Sequence, residues 1–200
     1  MKFIFLGLLL FVFSSGASAN TESATFSMYC YWTGEATLGR VPGIINSKIG
    51  TLDGREIVRV DFDSGTTNLL ELTKALKSEH SFYSLITRNE GERDHAQKFL
   101  KSSEITVITA EPSFVEAKYS LKASHPEIYY LDLTEHQAIV LNSWSYFGGT
   151  MPDVLTASQK ELLKRIKMKL HDKSGDELMP ARSGSELPAY RTQLARWLEK

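Results

Sequence analysis

An Asp-Gly pair at residues 53–54 separates two runs of strand-forming residues, and this restricts the fold more than any other local feature. The runs are 44–51 and 55–62, and apolar side chains alternate with polar ones from Val58 to Phe62. Such alternation predicts a strand with one buried face. Asp-Gly between two such runs predicts a tight hairpin turn. We therefore expect an antiparallel β-hairpin in the first half of the chain.

The hairpin lies inside a regular succession of strand and helix patterns. In chain order these are a strand at 24–29, a helix at 32–40, the two hairpin strands, a helix from 69 to about 80 and a strand at 83–87. Pro42 and Gly43 end the first helix, and Asn68 is placed to cap the second. The order β-α-β-β-α-β is that of the split βαβ, or ferredoxin-like, arrangement. We predict an α+β protein with this core and additional C-terminal helices.

The second half of the chain is predicted to be mostly helical. Its elements are a polar helix at 90–100, a short strand at 105–109, helices at 134–144, 156–170 and 188–200, and a polar loop at 173–184. The second and third of these four helices begin with a Thr-x-x-Gln capping box. We predict that residues 20–110 form the α+β core and that residues 111–200 form a helical extension packed on it.

The first 19 residues have the features of a secretory signal peptide. Lys2 precedes an apolar run at 3–13, and residues 17–19 (Ala-Ser-Ala) give the small-residue pattern that signal peptidase requires. The run is shorter than the roughly 20 residues that span a bilayer, and no Cys follows it to carry a lipid. We expect cleavage before Asn20 and a periplasmic or secreted protein that has no membrane contact afterwards.

Charge and composition exclude several classes of function. The chain has 23 Lys and Arg against 24 Asp and Glu, so its charge gives no attraction to nucleic acid. The histidines lack the spacing of zinc ligands, and no phosphate-binding or dinucleotide-binding motif is present. We therefore expect neither a metal nor a cofactor. An exported chain with one cysteine, Cys30, forms no internal disulfide, and a lone thiol in an oxidising compartment is usually buried or used.

Cys30 lies where the first predicted strand passes into the first predicted helix. A thiol at a helix N-terminus meets free N–H groups and the positive end of the helix dipole, and both favour the thiolate. Tyr31 and Trp32 follow directly, and their rings can form an apolar wall beside the sulfur. The alternative is that Cys30 is a small buried apolar residue, the commonest state of a free cysteine, with both rings in the core.

This part of the chain resembles the type A peptide methionine sulfoxide reductases. The hallmark of that family is a strand followed by Cys-Phe-Trp at the start of a helix, with an acidic residue one turn further on. The matching segments here are Cys30-Tyr31-Trp32 with Glu35, Val41-Pro42-Gly43-Ile44, Glu56 to Asp63, and the helix from Leu69 to His80. The resemblance covers roughly residues 24–83.

The resemblance implies a thiol-dependent enzyme that reduces methionine sulfoxide in peptides or proteins. Cys30 would attack the sulfoxide sulfur as a thiolate, and Glu56 would protonate the oxygen, which leaves methionine and a sulfenic acid on Cys30. Glu56 would then have to lie in a partly apolar pocket, since a carboxyl group donates near neutral pH only where its charged form is disfavoured. The substrate-binding residues would be Tyr31, Trp32, His80 and Tyr83. An external thiol or a thioredoxin-like reductant would regenerate Cys30.

The competing interpretation is a catalytically inactive relative that binds a peptide or a protein in the same cleft. In that case Cys30 is unreactive and Glu56 is a solvated carboxylate on a hairpin strand. His80, at the end of a predicted helix, would then interact with the last carbonyl groups of that helix. The surface for the partner would be found in residues 104–200.

Overall fold

The computed structural model describes residues 20–115, 119–171 and 187–199. The predicted signal peptide (1–19) and the predicted loop at 173–184 lie outside these ranges. Within them, no helix combines the length and the apolar character needed to cross a bilayer.

The described residues form a mixed α+β fold around a six-stranded sheet. Its strands are β1 (Thr21–Met28), β2 (Ile44–Leu52), β3 (Arg55–Asp63), β4 (Phe82–Thr87), β5 (Ile105–Val107) and β6 (Ser113–Phe114). Their spatial order is β5-β4-β1-β3-β2-β6. All neighbouring pairs are antiparallel except β4 and β5, which are parallel. The predicted α+β class is confirmed.

Helices cover the sheet and continue the chain beyond it. They are α1 (Tyr31–Leu38), α2 (Leu69–Ser78), α3 (Glu90–Ala96), α4 (Tyr119–Ser124), α5 (Pro126–Tyr129), α6 (Glu135–Phe147), α7 (Ala157–His171) and α8 (Leu187–Glu199). The elements predicted between residues 24 and 87 are all present in the predicted order. The sequence analysis missed β6, α4 and α5, since elements this short carry no hydrophobic period.

The predicted hairpin turn has the backbone geometry that its sequence requires. Asp53 and Gly54 have φ angles of 49° and 71°, so both central residues are left-handed. This is the requirement of a type I′ turn, which matches the twist of the flanking strands. Leu52 pairs with Arg55 directly across the turn. The turn therefore fixes the register of β2 against β3.

Side-chain caps begin three of the helices as the sequence predicts. The Asn68 side chain accepts hydrogen bonds from the backbone N–H groups of the first turn of α2. Thr134 and Gln137 form a reciprocal capping box at α6. Thr156 and Gln159 do the same before α7. Each cap satisfies N–H groups that have no partner within the helix.

Buried apolar residues form two main clusters, and α6 contributes to both. The first lies between the sheet and helices α1 and α2, and it includes Phe26, Phe62, Leu72, Leu76 and, from α6, Ile139. The second is built from α4 to α8 and includes Leu141, Leu163, Ile166 and Trp197. Because Ile139 and Leu141 belong to different clusters, α6 joins the helical half of the chain to the sheet.

Candidate functional site

Cys30 is the N-cap residue of α1. Its backbone is extended, with φ −145° and ψ 118°, and its side chain makes no capping hydrogen bond. Its carbonyl oxygen accepts the N–H of Gly34 at 3.1 Å, the first bond of the helix. The residue as a whole is partly exposed. The sulfur therefore lies at the positive end of α1, between strand and helix, as the sequence predicts.

Glu56 reaches the same helix start from the neighbouring strand. It lies opposite Met28 in the pairing of β1 with β3 and is half-buried. Its Oε2 accepts the backbone N–H of Tyr31 at 2.7 Å. Tyr31 is the first residue of α1, so this bond satisfies one of the free N–H groups there. The structure thus brings Glu56 to the residue that follows Cys30.

The two aromatic residues after Cys30 have different surroundings. The Tyr31 ring is partly buried and packs against the first cluster. Trp32 is 41% exposed. The two rings meet edge to face, with centroids 6.1 Å apart. Tyr31 therefore contributes to the core, whereas Trp32 is placed to contact a ligand.

A cavity of about 260 Å³ opens between α1, α4 and α6. Trp32 and Glu35 line it from α1, Ser124 from α4, and Asn142 and Tyr146 from α6. The cavity belongs to both halves of the chain, because α1 lies in the predicted core and α6 in the predicted extension. The sequence analysis placed no cavity there.

Glu35 is a buried acid on the cavity side of α1, with only 3% of its surface exposed. Its Oε1 accepts the Ser47 hydroxyl at 2.8 Å, and its Oε2 accepts the Asn142 amide at 3.1 Å. Burial raises the pKa of Glu35 to about 7, although the two hydrogen bonds oppose the shift. Glu35 belongs to the predicted motif, but the sequence pattern indicates no role for it.

His80 and Tyr83 lie near the end of β1. His80 is exposed and has a left-handed backbone, φ 53°, just after α2. The next residue, Ser81, accepts the N–H of Tyr29 at 3.1 Å through its carbonyl. The Tyr83 ring meets the Tyr29 ring edge to face at 5.4 Å and lies under the Arg55 guanidinium at 5.3 Å. Tyr83 therefore contacts the residue that precedes Cys30, His80 is the neighbour in sequence of the residue that does so, and neither predicted residue lines the Trp32 cavity.

In the part of the chain that the structure describes, no group of three or more His, Cys, Asp or Glu side chains is arranged to hold a metal ion. Comparison with models of known protein families gave no match, and comparison with curated proteins gave no significant match. The functional conclusion therefore rests on the geometry around Cys30.

Proposed function

We propose that this protein is a thiol-dependent peptide methionine sulfoxide reductase-like enzyme that acts outside the cytoplasm. The observation that carries the proposal is the position of Cys30: a partly exposed cysteine at the start of α1, with no capping bond of its own. The carboxyl group of Glu56 accepts a hydrogen bond from the backbone N–H of Tyr31, the residue after Cys30. The thiolate is the nucleophilic form of a cysteine.

We propose a ferredoxin-like core for this enzyme, with β5 and β6 added at the two edges of the sheet. The central strand order β4-β1-β3-β2, antiparallel throughout, supports this assignment. So does the element order β1-α1-β2-β3-α2-β4. In this arrangement β1 is a central strand. The residue that follows it lies at the end of the sheet where the connection from β1 to α1 meets the connection from α2 to β4.

The proposed reaction transfers the sulfoxide oxygen to the thiol. The Cys30 thiolate attacks the sulfoxide sulfur, the oxygen takes up one proton, and the products are the methionine thioether and a sulfenic acid on Cys30. The sulfoxide sulfur gains two electrons and the cysteine sulfur loses them. The resemblance assigns the proton to Glu56. An external thiol or a thioredoxin-like protein then attacks the sulfenic sulfur and releases water, and a second thiol frees Cys30 from the mixed disulfide.

Trp32 supports the assignment of a methionine sulfoxide side chain as substrate. Its exposed ring lies two residues from Cys30 and forms one wall of the cavity of about 260 Å³. An aromatic face suits a methyl group, and aromatic rings also make favourable contacts with sulfur. The substrate methyl group would lie against Trp32 while its sulfur faces Cys30.

A second candidate function is peptide or protein binding without catalysis. It is favoured by exposed aromatic residues before Cys30: Tyr29 is 68% exposed and Tyr83 is 47% exposed. Tyr29 and Tyr83 form an edge-to-face pair with Arg55 against Tyr83, and aromatic and arginine side chains are enriched at protein interfaces. This candidate requires no reactivity of Cys30.

Turnover by the Cys30→Ser variant separates the two functions. Serine is a preferred N-cap residue, so the variant is expected to fold with unchanged or slightly higher stability. We expect the wild-type protein to reduce one stereoisomer of N-acetylmethionine sulfoxide with dithiothreitol, and the variant to have no activity. The measurement is the amount of N-acetylmethionine released.

The reductase proposal would be rejected if the wild-type protein reduced neither stereoisomer with either dithiothreitol or reduced thioredoxin. The binding function predicts that outcome. It also predicts that a peptide bound by the wild-type protein binds Cys30→Ser equally well and binds a Tyr83→Ala variant more weakly.

A further inference from the structure

A second, larger cavity lies near the beginning of β1, whereas Cys30 follows the end of that strand. Its volume is about 560 Å³, within the range of about 300–1,000 Å³ that is usual for ligand sites. Residues of β1, β3, β4 and α3 line it, together with the segment that follows β5. Cys30, Trp32 and Glu56 do not line it, so this cavity is separate from the site proposed for the reductase.

Thr87 brings a buried polar atom without a partner to this cavity. It is the last residue of β4, it lines the cavity, and only 4% of its surface is exposed. Its carbonyl oxygen accepts the N–H of Ile108 at 2.9 Å, whereas its Oγ1 has no hydrogen-bond partner in the part of the chain that the structure describes. A buried hydroxyl group without a partner is destabilising, and folded proteins contain few of them. The Thr87 hydroxyl is therefore available to a ligand.

Arg59 supplies a positive charge to another wall of the cavity. It lies on β3 directly opposite Thr25 of β1, so the two side chains share one face of the sheet. Among the described residues, no carboxylate forms an ion pair with its guanidinium. Lys48 lies opposite Arg59 on β2, and Asp61, two residues further along β3, already accepts hydrogen bonds from two side chains. This part of the sheet face therefore attracts an anion.

The acidic residues of the cavity leave the Arg59 charge unpaired. Glu111 is ion-paired with Arg88. Glu92 accepts two hydrogen bonds from the residues just before α3. Glu22 lies three residues before the β1 residue that faces Arg59, so the alternation of the strand places it on the opposite face of the sheet.

We propose that this cavity binds a small carboxylic acid that has an apolar body and a second polar group. The Arg59 guanidinium binds the carboxylate through two parallel N–H···O bonds, the geometry in which these two planar groups fit each other. The Thr87 hydroxyl forms a hydrogen bond with the second polar group. The body of the ligand packs against the apolar side chains of the lining, which include Ala24, Leu52, Leu85, Ile86 and Ile108.

An NMR titration of the protein with N-acetyl-L-leucine tests the site. This probe has a carboxylate, a branched apolar side chain and an amide, and N-acetyl-L-leucinamide differs from it by lacking the charge. We expect saturable binding of the acid with shift changes around β4, and a dissociation constant about 10-fold higher for the amide.

Arg59→Gln and Lys48→Gln form a matched pair of variants, because each removes one cation from the same face of the sheet and Lys48 does not line the cavity. Arg59→Gln should raise the dissociation constant of N-acetyl-L-leucine about 10-fold, since the bidentate contact is lost. Lys48→Gln should change it about 2-fold at most at physiological ionic strength.

Thr87→Val separates binding from a structural role of the hydroxyl group. Valine has nearly the same shape, and the Thr87 hydroxyl has no hydrogen bond within the described chain to lose. The variant should therefore be at least as stable as wild type in urea, and it should bind N-acetyl-L-leucine about 5-fold more weakly.

Four outcomes would overturn the proposal. They are the absence of saturable binding of N-acetyl-L-leucine, equal affinity for the acid and the amide, an equal effect of Arg59→Gln and Lys48→Gln, and wild-type affinity in Thr87→Val. Shift changes grouped around Cys30 instead of β4 would count as absence of binding at this site.

Discussion

Glu35 belongs to α1 and Glu56 is hydrogen-bonded to its first residue, yet the two carboxyl groups differ in burial and in hydrogen-bond partners. Glu56 is half-buried and bonded to a backbone N–H at the helix start. Glu35 is buried among neutral groups, and its pKa is raised to about 7. Taking a carboxylate out of water without a cation disfavours its charged form. Burial therefore favours the protonated form of Glu35 near neutral pH.

The buried carboxyl group makes stability depend on pH. The pKa of Glu35 is raised in the folded protein from 4.5 to about 7, so the folded state binds more protons than the unfolded state between these values. The free energy of unfolding should therefore fall as the pH rises through this range. A shift of this size corresponds to at most about 3 kcal/mol.

Urea unfolding at about pH 5 and about pH 8 measures this effect when wild type and Glu35→Gln are compared. Because the glutamine does not ionise, the variant should gain stability relative to wild type as the pH rises. Other carboxylates titrate equally in both proteins and cancel in the difference. If the free energies of unfolding of the two proteins changed in parallel with pH, the result would contradict the raised pKa of Glu35.

The sequence predicted Cys30 and Glu56 as site residues but did not predict the burial of Glu35. Cys30 follows a local pattern, a strand directly followed by a helix, and Glu56 was found from the motif that surrounds it. The environment of Glu35 is made by Asn142, 107 residues later in the chain. No local pattern encodes that contact. The sequence contains one sign of this burial. Glu35 stands between two small residues, Gly34 and Ala36, in a short predicted helix.

Helix α1 is pressed closely against α6, and this contact shapes the candidate site. Ser143 and Asn142 on α6 donate hydrogen bonds to the Ala36 carbonyl and to Glu35. Gly39, the C-cap residue of α1, lies so near that a Cβ atom there would be 2.8 Å from the Ile139 carbonyl oxygen. The backbone of Gly39 is helical, a conformation that any residue can adopt. Glycine is therefore required here because of the close approach of α6, not because of the backbone conformation.

Gly39→Ala should therefore destabilise the protein through packing alone. We expect a loss of about 1–3 kcal/mol, because the backbone carbonyl of α6 has to move to admit the methyl group. The midpoint and slope of urea unfolding measure it. Gly65→Ala is the matched control, since its added Cβ would meet only the half-buried Asp63 side chain, at 3.3 Å, and no backbone atom. An equal effect of the two substitutions would show that α1 and α6 are not in close contact.

Local sequence patterns predicted most of the regular structure. The turn at Asp53 and the caps at Asn68, Thr134 and Thr156 depend on residues that are close in the chain, and each is present. β6 was missed because its two residues form a strand only through pairing with β2. Gly50 permits that pairing, since a Cβ there would lie 2.1 Å from the Ser113 carbonyl oxygen.

The two halves of the chain share one cavity beside α1, although the sequence divides them into a core and an extension. Helix α1 supplies Trp32 and Glu35 to the cavity and α6 supplies the opposite wall, whereas Cys30 and Glu56 meet at the start of α1 and do not line the cavity. α6 is held between two apolar clusters through Ile139 and Leu141. A change in the helical half of the chain is therefore expected to reach α1 through α6.

The most direct measurement is the yield of N-acetylmethionine from its sulfoxide when the protein is incubated without any reductant. Since the chain has one cysteine, the account predicts one equivalent of product per protein molecule, a sulfenic acid on Cys30 that a specific reagent traps, and no product from Cys30→Ser. A wild-type protein that releases no product while Cys30 remains a free thiol would contradict it.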